Sequence, residues 1–197
     1  GVLFDFALQF LSIDSLVNAR YEKDLSPEFR KIVDAYVQAI NDYAQKHPKE
    51  RLIKKAFPFS AKDVITGYVL NTSLMAGLGL TLKAVNENRI DEFFTPNEIG
   101  SNAMAIAPER TEDGQTYLAI NSHQSIEGRF AWYEAHIDSE EGWEIIGGLF
   151  PGGISIFVGT NKHLGWAHTT NYHNFGDVYK LEINPKDKNQ YRFNVEW

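Results

Sequence analysis

The 197-residue sequence contains no cysteine. Disulfides, zinc–thiolate sites and a cysteine nucleophile are therefore excluded, and the redox compartment stays open. No run of about 18 apolar residues occurs, so no membrane-spanning helix is expected. Positive charge is scarce. Nineteen Lys and Arg against 26 Asp and Glu give a formal net charge of -7, which argues against nucleic acid as a partner, because phosphates require a basic face. The G-x-S-x-G nucleophile elbow and the H-E-x-x-H metal pattern are both missing. There is no internal repeat and no low-complexity linker. Any enzyme built on this chain must work with hydroxyl, carboxylate or imidazole groups.

What is present supports a folded core, with 43% hydrophobic and 13% aromatic residues. The first half reads as helix. In SPEFRKIVDAYVQAINDYAQKHP, Ser26 is an N-cap and Pro27 the first helical residue. Phe29, Ile32, Val33, Tyr36, Val37, Ile40 and Tyr43 follow in one apolar stripe, and Pro48 ends the helix. A second helix starts at Ser60, with Asp63 as capping-box partner, and runs on through VITGYVLNTSLMAGLGLTLKAV. The opening GVLFDFALQFLSI reads as an uncapped amphipathic helix and the closing YRFNVEW as strand. Both ends are expected of a piece of a longer polypeptide.

The second half reads as strands. NAMAIA and TYLAIN flank a turn marked by Asp113-Gly114. Further strands are expected over 130–137, 143–146, 154–158, 164–169 and 178–183, separated by glycine-rich turns. Helices followed by an antiparallel meander imply an α+β fold with helices covering a sheet.

At Gly100-Ser101 the chain passes from a polar stretch into the apolar run 103–107. A serine that heads its own chain carries its own base, an α-amino group with a reference pKa of ~7.7–8.0. Releasing that amine requires cleavage of the preceding peptide bond. Gly100 suits the step, since a residue without Cβ leaves its carbonyl open to Ser101 Oγ. The apolar run is expected to hold the nucleophile at the end of a buried strand; the alternative is an ordinary Gly-Ser-Asn loop. His123 follows the second hairpin strand, whose end lies beside the start of the first, so topology is expected to bring His123 near Ser101; the alternative is a loop histidine bonded to backbone. At the end of a later strand, a main-chain N–H within Thr169-Thr170-Asn171 offers a donor to a developing oxyanion or, more simply, belongs to a tight turn around buried strands. His163, His168 and His173 are spaced by five, off-face on strand or helix, which argues against a shared metal. Asn174 and Asp177 offer oxygens that suit a calcium ion or, more simply, a turn.

Taken together, GSNAMAIAPERTEDGQTYLAINSHQ, WYEAHI, GGLFPGGISIFVGTNKHLGWAHTTN and DVYKLEINP resemble the penicillin acylase (penicillin amidase) family of N-terminal-nucleophile hydrolases. Within it they are most similar to the branch of acyl-homoserine-lactone, aculeacin and cephalosporin acylases. LSPEFRKIVDAYVQAINDYAQKHP resembles a helical segment of the family's α chain. The resemblance implies a four-layer αββα sandwich, and a precursor that cuts itself at Gly100-Ser101. Residues 1–100 would then belong to the α subunit and 101–197 to the β subunit. It further implies Ser101 as nucleophile, His123 beside it, and Thr170 as a main-chain oxyanion donor where Val or Ala is usual. The second donor, an asparagine, would lie beyond Trp197. A structural calcium at Asn174, Gly176 and Asp177 is implied for part of the family, and no cofactor is required for the chemistry. The implied substrate is a small-molecule N-acyl amide: an acyl-homoserine lactone, a lipopeptide or a β-lactam. The implied location is periplasmic or extracellular, with a signal peptide preceding residue 1. Two other readings remain: an inactive or uncut precursor fragment, and a binding module presenting Trp132, Tyr133, Trp143 and Trp166.

Overall fold

The computed structural model describes residues 2–89, 100–128, 130–171 and 177–197. It is α+β, with helices first and antiparallel strands after them. The chain divides into two compact units, residues 1–73 with 97–171, and residues 74–96 with 172–197. The expected cut at Gly100-Ser101 falls inside the second segment of the first unit.

In the first unit, α1 (Val2–Phe10) and α2 (Ile13–Asp24) are separated at Ser12, a left-handed residue with φ 53°. The helix α3 (Pro27–Lys46) starts where its cap chemistry dictates: Ser26 Oγ accepts the Phe29 N–H at 3.2 Å. Val33, Val37 and Ala44 are its buried positions, and Val33 is wholly buried. The stripe is narrower than its sequence suggests, because Ile32 and Tyr43 are about half exposed at 50% and 55%. Asn41 on α3 ties down the segment leading to the next helix through two 2.8 Å bonds to the main chain of Phe59. The next helix, α4 (Ala61–Met75), opens with a reciprocal capping box. The Ser60 N–H donates to Asp63 Oδ2 at 2.7 Å and the Asp63 N–H to Ser60 Oγ at 3.2 Å.

The long second helix expected from the sequence is interrupted. It ends at Met75, and α5 (Leu78–Asn86) resumes after Gly77, whose φ of +94° only glycine adopts at little cost. No single helix among the described residues is long and apolar enough to cross a membrane.

The strands form two sheets. β1 (Ser101–Ile106) and β2 (Tyr117–Ser122) make an antiparallel hairpin. β3 (Tyr133–Asp138), β4 (Glu144–Leu149), β5 (Val158–Thr160) and β6 (Gly165–Trp166) make a four-stranded antiparallel meander in that order. The segment expected as strand over 154–158 is strand only from Val158. The β4–β5 pairing places Gly147 opposite Gly159, and a Cβ on Gly147 would lie 2.6 Å from Gly159 Cα. The segment expected over 178–183 carries only an isolated bridge, Ile183 to Tyr191, in the second unit. β1 is also not the buried strand that its apolar run implies. Its four central residues are exposed, because a two-stranded ribbon has no third strand or covering layer among the described residues.

Candidate active site

The hairpin register places the site. Between the strands, Pro108–Arg110 form a 3-10 turn and Gly114 takes φ +68°. The Thr111 hydroxyl binds the Gln115 carbonyl oxygen at 2.9 Å. The Asp113 carboxylate accepts the Gln115 N–H at 3.1 Å and the Tyr117 O–H at 2.5 Å. These bonds close the connection at one length, and the length sets the pairing: Ser101 opposite Ser122, Ile106 opposite Tyr117. The Tyr117 O–H, followed by the Gln115 N–H, holds the Asp113 carboxyl below its usual range, and the same contact raises the Tyr117 phenol.

Ser101 is the first residue of β1 and is half-buried. The main-chain N–H of His123, one residue beyond the last ladder pair, points at Ser101 Oγ with an N···O distance of 3.4 Å. Ser101 and His123 are thus brought together, as the hairpin argument requires. The imidazole, however, turns to Asn121, whose Nδ2 lies 3.2 Å from His123 Nε2. Sequence reasoning missed Asn121. The signal was there, since residues two apart along a strand share a side.

Ser122, opposite the nucleophile candidate, accepts the Trp132 indole N–H at 2.7 Å. Trp132 stacks on Phe150 with ring centroids 4.7 Å apart, and Phe157 packs 5.2 Å from Phe150. The hairpin therefore stands next to an aromatic cluster. Gly148 is part of this packing, because a Cβ there would press on the Trp132 ring at 3.2 Å. β6 approaches β2 as well, where a Cβ on Gly165 would meet Leu118 Cδ2 at 2.7 Å. Of the aromatic residues weighed as a binding surface, Trp132 and Trp166 are half-buried, while Tyr133 and Trp143 are exposed.

Thr170 lies past β6 in non-strand backbone and is exposed. No hydrogen bond joins it to Ser101, and its main-chain N–H has no partner among the described residues. His168 packs its ring against Phe157 at 5.0 Å, and the His163 N–H donates to Asn161 Oδ1 at 2.8 Å in the β5–β6 turn. His173, Asn174 and Gly176 lie outside the described residues. Asp177 belongs to the second unit, where its carboxylate takes the Tyr179 O–H at 3.5 Å. It contributes one carboxylate toward the six to eight oxygens that calcium takes, so no chemistry is assigned to an ion there.

Comparison with known proteins bears on this geometry. The penicillin amidase family model matches residues 2–197. The acyl-homoserine lactone acylase PvdQ of Pseudomonas fluorescens (strain Pf0-1) is 24% identical over 212 residues, covering 95% of this chain and 27% of that protein. The same-named protein of strain Pf-5 is 35% identical over 92 residues, covering 47% of this chain and 12% of that protein. The aculeacin-A acylase of Actinoplanes utahensis is 26% identical over 93 residues, again 47% of this chain and 12% of that protein. The chain thus spans between about an eighth and a quarter of the length of these relatives. No solved structure matches it.

Proposed function

The chain belongs to the penicillin amidase family, and from that premise we propose that it forms the catalytic heart of an amidohydrolase whose nucleophile is Ser101. One observation carries the reading. A serine directly after a glycine heads a strand, and its Oγ receives the main-chain N–H of His123 from the far end of the same hairpin. A donor on Oγ lowers the cost of negative charge as the hydroxyl proton leaves.

In the uncut chain, Ser101 Oγ attacks the Gly100 carbonyl. The C–N bond breaks, the serine nitrogen takes the proton and becomes an amine, and an ester links Gly100 to Ser101. Water hydrolyses that ester, freeing a Gly100 carboxylate and a Ser101 amine. The amine then accepts the hydroxyl proton as Oγ attacks a substrate amide, and passes it to the departing amine. An acyl-enzyme remains, and water, deprotonated by the same amine, releases the acid. The Thr170 N–H, unpartnered among the described residues, is the proposed donor to the tetrahedral oxyanion. A single such donor is worth roughly 10²–10³ in rate.

The substrate is an N-acyl amide with an apolar acyl group. The Trp132–Phe150–Phe157 cluster, tied through Ser122 to the hairpin that carries Ser101, supports an apolar acyl group. Relatives named as acylases of acyl-homoserine lactones and of aculeacin A support the same class. The proposal extends to the family's four-layer sandwich, to α and β subunits from one precursor, and to a periplasmic or extracellular location. Asn174, Gly176 and Asp177 remain a proposed calcium site.

Mass spectrometry of the full-length protein tests the reading. We expect a chain beginning at Ser101 in the wild type and an unbroken chain in S101A. Amide hydrolysis by a wild-type protein that stays unbroken would refute the scheme.

A further inference from the structure

We propose that Asn121 is a positioning residue for Ser101, acting through His123. Its carboxamide holds the His123 imidazole and so keeps the main-chain N–H of residue 123 on Ser101 Oγ. The proposal rests on Ser101 being the nucleophile. Its basis is where the β1–β2 ladder stops. The last pair is Ser101 with Ser122, so residue 123 lies just beyond the reach of inter-strand bonding. Its N–H nevertheless has to stay on Oγ, at an N···O distance of 3.4 Å, which is long for such a bond and easily lost to small rotations of the backbone.

One contact restrains the residue from the other side, the 3.2 Å approach of Asn121 Nδ2 to His123 Nε2. Asn121 is well placed to restrain it. It sits within β2, paired with Asn102, so its own backbone is fixed by the ladder. It is two residues from His123, on the same side of the chain. A neutral imidazole carries one donor and one acceptor nitrogen, and a carboxamide carries both functions, so the clamp closes in either tautomer. Asn121 acts on the geometry of His123, and His123 on Oγ.

The consequence is a specific pattern of coupling in self-cleavage, which needs no external substrate. In the full-length precursor, the rate of appearance of the Ser101-headed chain is measured by mass spectrometry for wild type, N121A, N121D, H123A and N121A/H123A. Loss of one restraining hydrogen bond corresponds to a rate reduction of about ten-fold. N121A and H123A should each slow cleavage by about that factor, and the double variant should be no slower than either, because both remove the same clamp. N121D should recover most of the rate lost in N121A, since a carboxylate accepts the Nε2–H of the other imidazole tautomer where the carboxamide Nδ2 donates to Nε2. Should H123A not cleave at all, the comparison of N121A with N121D decides alone. Cleavage of N121A at the wild-type rate, additive losses in the double variant, or N121D as slow as N121A overturns the proposal. If the wild type never yields a chain headed by Ser101, the parent reading falls and this one with it.

Discussion

Asp113 shows how one carboxylate in a loop reaches Ser101, twelve residues away. It receives the Tyr117 O–H and the Gln115 N–H, and these two bonds fix the length of the connection that sets Ser101 opposite Ser122. Because the folded carboxyl is held below its usual range, chiefly by Tyr117, it binds a proton less readily than in the unfolded chain. Its contribution to stability is complete above the ordinary aspartate pKa of ~3.9. It is lost as the pH falls through the lowered folded value. Y117F should therefore flatten the acid side of the stability-versus-pH curve while leaving the neutral side nearly parallel to wild type. Identical acid slopes in thermal melts of the two proteins would rule this out. The same residue scale shows what the sequence could and could not tell. Hairpin topology predicts that residue 123 lies beside residue 101, since register follows from chain length and turn chemistry. It does not predict that the main chain of His123 faces Oγ while its ring turns to Asn121, because that depends on a χ1 choice made among neighbours.

Helix starts are the most legible elements because they are made by local bonds. Ser26 and the Ser60–Asp63 box cap where the residue types require. Helix continuity is less legible. The run through AGLGL keeps its apolar character across Gly77, and only the backbone turn to φ +94° reveals the break. Strand extent is the least legible, since a strand exists only with a partner that its own residues do not name. Residues 178–183 have the composition of a strand, yet only Ile183 finds a bridging residue. Residues 154–158 yield to a β5 that begins at Val158, where Gly159 meets Gly147 across the ladder. That pair makes a sharp prediction. A Cβ on Gly147 would lie 2.6 Å from Gly159 Cα and 2.7 Å from Ile156 Cγ2, and nearer still to the Val158 carbonyl oxygen. Most of these neighbours are backbone and cannot swing aside. G147A should cost roughly 1–3 kcal/mol as overpacking. By contrast G114A, where no atom lies within 4 Å of the new Cβ, should show only the cost of a positive φ. Denaturant melts that rank G114A as the more damaging would contradict the pairing.

At the scale of the whole molecule the question is what keeps the two sides of Gly100-Ser101 together if the bond between them is cut. Within the first unit, helical and strand segments meet at Tyr68 on α4. Its hydroxyl accepts the Ile154 N–H at 2.8 Å, across 86 residues of sequence and across the proposed cut. Gly153 is confined at the same spot, since a Cβ there would stand 2.8 Å from the Tyr68 oxygen and 2.7 Å from the Phe150 carbonyl oxygen. Phe150 in turn is buried and carries the stacked Trp132 that reaches Ser122. A hydroxyl on the N-terminal side of the proposed cut therefore helps hold the turn that adjoins the aromatic cluster. Y68F removes that hydroxyl and little volume, leaving a half-buried N–H without a partner at a cost of about 1–3 kcal/mol. After cleavage the loss falls on the association of two chains rather than on one fold. The processed wild-type chains should co-elute in size-exclusion chromatography, and the processed Y68F chains should separate at a lower urea concentration. Separation at the same urea concentration in both proteins would mean that Tyr68 bonds across the cut without holding its two sides together.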